Sequence, residues 1–408
     1  MLFNSELRTL DLDVTDKSLV QNPYEIYAQL HRAARIFFWK QLGFWCVHHF
    51  DDVNALLRNK RFGRQILHCA TRQELGWPEI PERLKPFYDV EQYSPLELEP
   101  PEHTRIRLMV NRAFISRQIE CLRPRIESLA HRLIDGFIAD RQADLLQAYA
   151  TPIPVIIIAE MLGLPVSSTN KLLEWSHKMV AMYQSNRDRA IEDEAVAATV
   201  AFVGFIRAQI AEKRKNPDDG LISLLLTQEA GDRASEDEMV SICIVLLNAG
   251  HEATVKSLGN SIKCLLQTNA DNGKLFSTTE SIVLAVEELL RVDPPLHMFS
   301  RYALEDIEMM DVSFKKGDRI GLLLGAANHD PQRFPNPHDF DPSRTPQTHV
   351  TFGAGIHFCI GAPLARLEMQ VALPILFRRL PNLRLQEVPE YSNTYHFHGL
   401  KQLLCAWE

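Results

Sequence analysis

The chain has 408 residues, 46% of them hydrophobic and 24% charged, with a formal net charge of −8. This is ordinary globular composition with enough chain for a large core, and the acidic balance excludes a general nucleic-acid binder. The seven cysteines (46, 69, 121, 243, 264, 359 and 405) are scattered, odd in number and outside CxxC pairs, which excludes a disulfide scaffold and fits a reduced cytoplasmic protein.

The start, Met1-Leu-Phe-Asn-Ser-Glu-Leu-Arg8, has neither a signal-peptide nor an anchor pattern. The longest apolar run, Ile153 to Leu164, contains Pro154, Glu160 and Gly163 and is too short to span a bilayer. No linker, repeat or low-complexity block divides the chain, so a single domain over 1–408 is expected. Asn22-Pro-Tyr-Glu-Ile-Tyr-Ala-Gln-Leu30 reads as a capped helix. Ile36–Trp39 and Phe44–Val47 flank Gln41-Leu-Gly43 and read as a β-hairpin, and Asp51–Leu57 as another helix. Arg64 to Glu99 is irregular, proline-rich and aromatic (Trp77, Phe87, Tyr88, Tyr93), and long loops of this kind are often functional. Pro100-Pro-Glu-His-Thr-Arg-Ile-Arg107 opens a helix that sets His103 and Arg107 four apart on one face, with Arg112 further along. Leu172 to Lys215 reads as two helices, whose Met179, Met182 and Tyr183 fit core positions as well as a substrate roof. Asn216–Gly220 is a turn.

Ser235-Glu-Asp-Glu238 is an N-cap sequence. The apolar helix after it, Met239 to Leu266, is on the order of 40 Å long. Gly250 inside that helix costs roughly 1 kcal/mol against alanine, tolerable where something flat must approach closely. Glu252 is an acid in an apolar run, which is costly unless it is used or paired. Glu287-Glu288-Leu-Leu-Arg291 follows on another helix, where Glu288 and Arg291 can pair at i,i+3. Leu296-His-Met-Phe-Ser-Arg301 reads as a strand, with alternation deciding which of Leu296, His297 and Phe299 face a ligand. Short β pieces are expected near Asp311–Leu323 and in the tail, so the fold class is mainly α with a small β region.

Phe352-Gly353-Ala-Gly-Ile-His357-Phe-Cys359-Ile-Gly361 precedes a helical run from Ala362 to Arg378. A cysteine at a helix start lies near unpaired N–H groups and the positive end of the macrodipole, which favours a metal-binding thiolate. One sulfur is too few for a zinc ribbon or an iron–sulfur cluster and suits a single axial thiolate on haem.

This stretch resembles the haem-binding signature of the cytochromes P450, and Ala362-Pro-Leu-Ala-Arg-Leu-Glu368 continues it. The resemblance extends from Asn22-Pro-Tyr to Gly399-Leu400. It implies a single triangular domain, with haem b between the long central helix and the start of the cysteine helix. It also implies Cys359 as the axial metal ligand, and Phe352, Gly353 and Gly361 as its cradle. His103, Arg107, Arg301 and His357 would hold the haem propionates. Glu288, Arg291 and Arg344 would form a structural brace, and Arg112 would meet an acidic electron donor. Phe397 and His398 match the final turn that enters the pocket. The implied activity is a monooxygenase acting on a small, largely apolar molecule, as a soluble cytoplasmic monomer without membrane attachment. Its electrons would come from a separate ferredoxin or flavodoxin with its reductase.

Ala249-Gly250-His251-Glu252-Ala253-Thr254 is similar to the family's oxygen-activation segment, in which an acid relays protons and the hydroxyl directly after it orders dioxygen and water. Here Ala253 occupies the hydroxyl position, and Thr254 lies about 100° further around the helix. Three readings stand: a substrate hydroxyl or water replaces the missing group, the reaction is leaky, or the helix is distorted so that Thr254 reaches in. The first is preferred, and His251 is read as a supporting neighbour. A peroxide-driven peroxygenase and a non-catalytic haem sensor or carrier are the rival functions.

Overall fold

The computed structural model describes residues 2–184, 187–228, 233–268, 270–345 and 348–408. Its contacts separate into two compact units. The first comprises Met1–Ile66, Cys121–Thr151 and Ala253–Glu408, and the second Leu67–Glu120 and Pro152–Glu252.

The first unit carries the strands: β1 (Leu2–Asn4), β2 (Thr9–Asp11), β3 (Ile36–Trp39), β4 (Phe44–Val47), β5 (Phe62–Gly63), β6 (Gln142–Asp144), β7 (Phe299–Ala303), β8 (Ile307–Met309), β9 (Val312–Phe314), β10 (Arg319–Leu322), β11 (Arg384–Leu385) and β12 (Leu404–Ala406). One sheet has the order β1-β2-β3-β4-β10-β7-β5. The expected hairpin is β3–β4, in antiparallel register with Phe38 opposite Trp45. Their rings meet edge to face at 5.7 Å, the kind of cross-strand aromatic pair that stabilises a hairpin. Gly43 closes the turn at φ 73°, a conformation that only glycine takes cheaply. β10 lies parallel to β4 and antiparallel to β7, so residues 44–47 are locked to residues 299–322. Beneath this sheet, Phe50, Phe62, Phe314, Leu322 and Phe334 form a dry core. The tail strand β12 sits between β11 and β6.

The helix Ala362–Arg379 has a proline in its first turn and buries Leu364, Leu367, Val371 and Leu376. It packs on the helix Arg123–Phe137. Helix Pro23–Ala33 forms where expected, but Asn22 makes no side-chain cap, because its amide turns instead to Glu25.

The second unit is helical among its described residues. The stretch 64–99, expected to be irregular, contains a helix at Lys85–Glu91 with proline in its first turn and Phe87 and Val90 buried. Proline at that position lacks only an N–H that would be unpaired in any case, so it starts a helix rather than breaking one. Helices Thr169–Val180 and Arg189–Lys215 pack together, with Trp175 against Phe202 at 5.4 Å. Met179 and Met182 are buried core residues, 1% exposed each.

The central helix runs from Glu236 to Gln267. Ser235 Oγ accepts from the Glu238 N–H at 3.1 Å, and a Glu238 carboxylate oxygen accepts from the Ser235 N–H at 2.7 Å. This is a reciprocal capping box. The helix is α through Ala249–Thr254. This helix and Arg189–Lys215 are long and apolar enough, by length and composition, to cross a membrane. In the central helix 72% of the apolar window is buried within the protein.

Candidate active site

The loop before the cysteine helix is built by its glycines. Gly353 and Gly355 sit at φ 67° and 74°, in the left-handed region that disfavours side chains. A Cβ on Gly355 would also lie 2.5 Å from the Leu57 carbonyl oxygen. The chain therefore turns back tightly, and the Cys359 N–H donates to the Phe352 carbonyl at 3.0 Å. Gly361 caps the following helix. The nearest atom to a Cβ there would be Cys359 Sγ at 3.9 Å, so residue 361 presents no side chain against the sulfur. Arg301, 4% exposed on β7, and the half-buried His357 belong to the same unit. A half-exposed thiol, a buried guanidinium and an imidazole are the kinds of donor that a haem with two carboxylates requires, and a glycine near the sulfur leaves room for it. The residues fit that cofactor.

Behind the loop lies the brace. Arg291 grips Glu288 with two parallel bonds, Nε to Oε2 and Nη2 to Oε1, both 2.8 Å. Arg344 Nε donates to Glu288 Oε1 at 3.1 Å, as does the Asp341 N–H. The remaining guanidinium protons go to the carbonyls of Asn328, Pro335, Asn336, Pro337 and Asp339. Glu288 and Arg291 are 1% and 0% exposed. Glu288 and Arg291 compensate each other, and the second guanidinium, Arg344, is held by backbone carbonyls as well.

A second ion pair was not read from the sequence. Arg366 Nε and Nη2 donate to Glu287 at 2.6 and 2.8 Å, and His349 lies 3.3 Å from the same carboxylate. The Arg366 guanidinium also stacks on the Phe352 ring at 4.5 Å. Burial pushes the Glu287 carboxyl up, but Arg366 and His349 outweigh it and hold it at about 2. The sequence signal was available: Glu287 is one residue from Glu288, and the other face of a helix is free to pair elsewhere.

Of the other expected residues, His103 is 2% exposed and Arg107 half-buried, one turn apart on the helix Glu102–Asn111 in the second unit. Gly250 lies on the central helix against the helix Pro152–Leu162. A Cβ there would be 3.3 Å from Ile158 Cγ1, so close helix packing is itself a reason for glycine. Glu252, 8% exposed, has Oε1 3.2 Å from His177 Nε2 and 3.7 Å from His251 Nε2. His251 donates from Nδ1 to the Leu247 carbonyl at 2.8 Å, which orients its ring. The His177 side chain is 56% exposed, so Glu252 touches a group in contact with water. His177 gave no sequence signal, being one polar residue on an amphipathic helix. Ala253 is half-buried and Thr254 buried in the first unit.

His297 and His398, considered as pocket residues, are instead 0% and 1% exposed within a polar cluster of the first unit. His297 Nδ1 meets the Tyr27 hydroxyl at 2.6 Å. Phe397 is half-buried, with Lys256 Nζ 5.4 Å from its ring.

The Cytochrome P450 family profile matches residues 282–396. The polyketide biosynthesis cytochrome P450 PksS of Bacillus subtilis is 34% identical, covering 95% of this chain and 96% of that one. The biotin biosynthesis cytochrome P450 of the same organism is 32% identical, covering 98% of this chain and 100% of that one. The crystal structure of P450BioI in complex with an acyl carrier protein ligated to hexadec-9Z-enoic acid superposes with a TM-score of 0.89, at 32% identity and covering 96% and 100% of the two chains. The myxobacterial CYP267B1 in complex with myristic acid gives 0.86 at 34% identity, covering 97% and 98%. Relatives at this identity over nearly the whole chain, and the geometry of the cysteine loop, lead to one assignment: the chain belongs to the cytochrome P450 family, whose haem b is held by a cysteine thiolate, and is a monooxygenase of that family.

Proposed function

We propose that this monooxygenase inserts one atom of O2 into an extended, largely apolar acyl or polyketide chain, by hydroxylation or oxidative dealkylation. Electrons come from a separate ferredoxin or flavodoxin with its reductase, and the enzyme works as a cytoplasmic monomer. The observation that carries the reading is Cys359, set two residues before the N-cap Gly361 of Ala362–Arg379 by a loop in which Gly353 and Gly355 take left-handed φ. Cys359 is the axial ligand, Phe352, Gly353 and Gly361 shape the cradle, and Arg301, His357, His103 and Arg107 hold the propionates. When bound, the haem supplies oxygen activation and C–H oxidation.

The chain's own task is proton traffic and orientation. His177, open to water, passes protons to Glu252, which is fixed at 3.2 Å from it. Ala253 offers no hydroxyl, so a hydroxyl or carbonyl of the substrate, or an ordered water, completes the relay. The substrate class is supported by the relatives, among them PksS and the myristate- and acyl-carrier-bound structures.

The test is spectral and then chemical. The reduced carbonyl complex should absorb as haem-thiolate in the wild type and lose that band in Cys359→Ser. Free myristate, the same acyl group on a carrier protein, and a macrolide should then be compared for optical shift and for product with a ferredoxin system. A histidine-type carbonyl spectrum in freshly folded protein would overturn Cys359 as ligand. Turnover confined to compact ring substrates would overturn the chain-like substrate.

A further inference from the structure

One ligand atom from each of Asp293, His297 and His398 converges to within 4.8 Å of the other two. All three residues are buried, at 7%, 0% and 1% exposed. His398 Nε2 lies 3.3 Å from Asp293 Oδ1, yet neither it nor His297 Nε2 has a hydrogen bond of acceptable geometry. A protonated imidazole would pair with the carboxylate at that separation, and a neutral one leaves the two atoms spaced like two corners of a metal tetrahedron. Zinc bonds of about 2.0–2.1 Å set neighbouring ligand atoms about 3.3 Å apart.

We propose that Asp293, His297 and His398 form a binding site for one zinc ion, a structural centre separate from the haem. The surrounding groups hold the ligands in the required form. Tyr27 donates its hydroxyl proton to Tyr395 at 3.0 Å and lies 2.6 Å from His297 Nδ1. With that proton on Tyr395, the Tyr27 oxygen is open to accept from Nδ1, the tautomer that leaves the Nε2 lone pair for a metal and the usual partner arrangement of a ligating imidazole. Asp293 Oδ1 accepts from Tyr24 at 2.6 Å, and Oδ2 accepts from Tyr391. Asn260 Nδ2 donates to the carbonyls of both Asp293 and His398, at 3.2 and 3.1 Å. The His398 N–H donates to the Pro295 carbonyl at 2.9 Å, and the His398 ring stacks on Tyr391 at 3.8 Å. The ligands are thus preset by backbone contacts between the end of the helix Thr279–Val292 and the C-terminal turn. Two imidazoles and one carboxylate suit zinc, with a fourth position for water.

A cleft of about 430 Å³, lined by Tyr24, Lys263, Asp293, His329 and His338 among others, reaches one of the three ligands, Asp293. Lys263 Nζ, 3.7 Å from Asp293 Oδ2, is the one opposing charge beside the ligands among the described residues, and it sets the affinity below that of a cysteine site. The His31–His48–His49 group differs. There His31 and His48 meet each other at 3.0 Å, and their other nitrogens face the carbonyls of Ala326 and Ala34.

The test uses purified haem-loaded enzyme, dialysed against a chelator and then titrated with zinc chloride. The expected result is one zinc per haem iron by elemental analysis, a rise in Tm of several degrees, and zinc-edge X-ray absorption with nitrogen and oxygen neighbours only. His398→Gln and His297→Gln should lose the zinc and the Tm rise, while His49→Gln and His177→Gln keep both. Where the first two variants fail to fold, the wild-type edge together with the His49 and His177 variants decides. The proposal is overturned if the wild type retains no zinc, if sulfur neighbours appear, if His398→Gln and His297→Gln retain it undiminished, or if His49→Gln or His177→Gln loses it.

Discussion

Glu288 and Glu252 are both buried acids on long helices, 1% and 8% exposed, yet they handle charge in opposite ways. Glu288 is enclosed by two guanidinium groups and a backbone N–H, and those guanidinium groups are enclosed by carbonyls. The Glu288 and Arg291 side chains at its centre are shut off from water. Glu252 has as its near partner the imidazole of His177, more than half exposed and so in contact with water. A closed network of permanent charges fixes structure, whereas a buried acid with one aqueous neighbour can move protons.

The sharpest way to break this comparison is at Glu288. Glu288→Gln leaves the charges of Arg291 and Arg344 without their carboxylate, and removing one member of a buried pair costs about 3–5 kcal/mol. Urea unfolding should show that loss, with haem retention falling in parallel. A change below about 1 kcal/mol would mean that the carbonyls alone hold the guanidinium groups.

Glu252→Gln should do the reverse. Haem content, the carbonyl spectrum and the urea midpoint should stay near wild type, while product formation falls by about 10²–10⁴, the range for losing a positioned proton donor. His177→Gln should give a smaller loss that deepens as buffer concentration falls, because its role is supply from solvent. If Glu252→Gln unfolds the protein and leaves per-haem turnover intact, Glu252 belongs with Glu288 as a structural acid.

Much of the first unit's site was legible in the sequence because its residues are contiguous or close in helical register. Phe352–Gly361 shapes one loop, and Glu288 with Arg291 lies on one helix face. What escaped were pairings set by long-range topology. His177 reaches Glu252 only through the packing of the second unit's helices. His297 and His398 meet Asp293 only because the C-terminal turn pairs with residues 295–297. The sequence did not place His297 and His398 in this cluster for the same reason: strand alternation says which side a residue faces, and does not say what the tail places there. The short strands β1, β2 and β6 carry too few residues for a period to show.

Glu287 sharpens the comparison from the pH side. Its folded value of about 2 lies below the ordinary 4.5. The stabilisation from its ionised form is therefore present above about pH 4.5 and is lost as pH falls toward 2, up to about 3 kcal/mol in all. Glu287→Gln should start less stable at neutral pH and lose that slope in acid unfolding. An unchanged acid limb would show that Arg366 and His349 do not hold the carboxylate in solution.

The smallest expected effect is at Ala253, and it bears on the oxygen side alone. Ala253→Thr restores a hydroxyl next to Glu252 on a regular, half-buried stretch of helix. The helix should lose about half a kcal/mol from the β-branched side chain, too little to alter haem binding. If substrate groups now complete the proton relay, the variant should improve the yield of product per reductant for substrates lacking a hydroxyl or carbonyl near the reacting carbon. It should leave polar substrates nearly unchanged, because they already bring the group. Equal gains for both classes would point to a leaky relay that any hydroxyl repairs, and no gain for either would mean that the protons reach their target without passing residue 253.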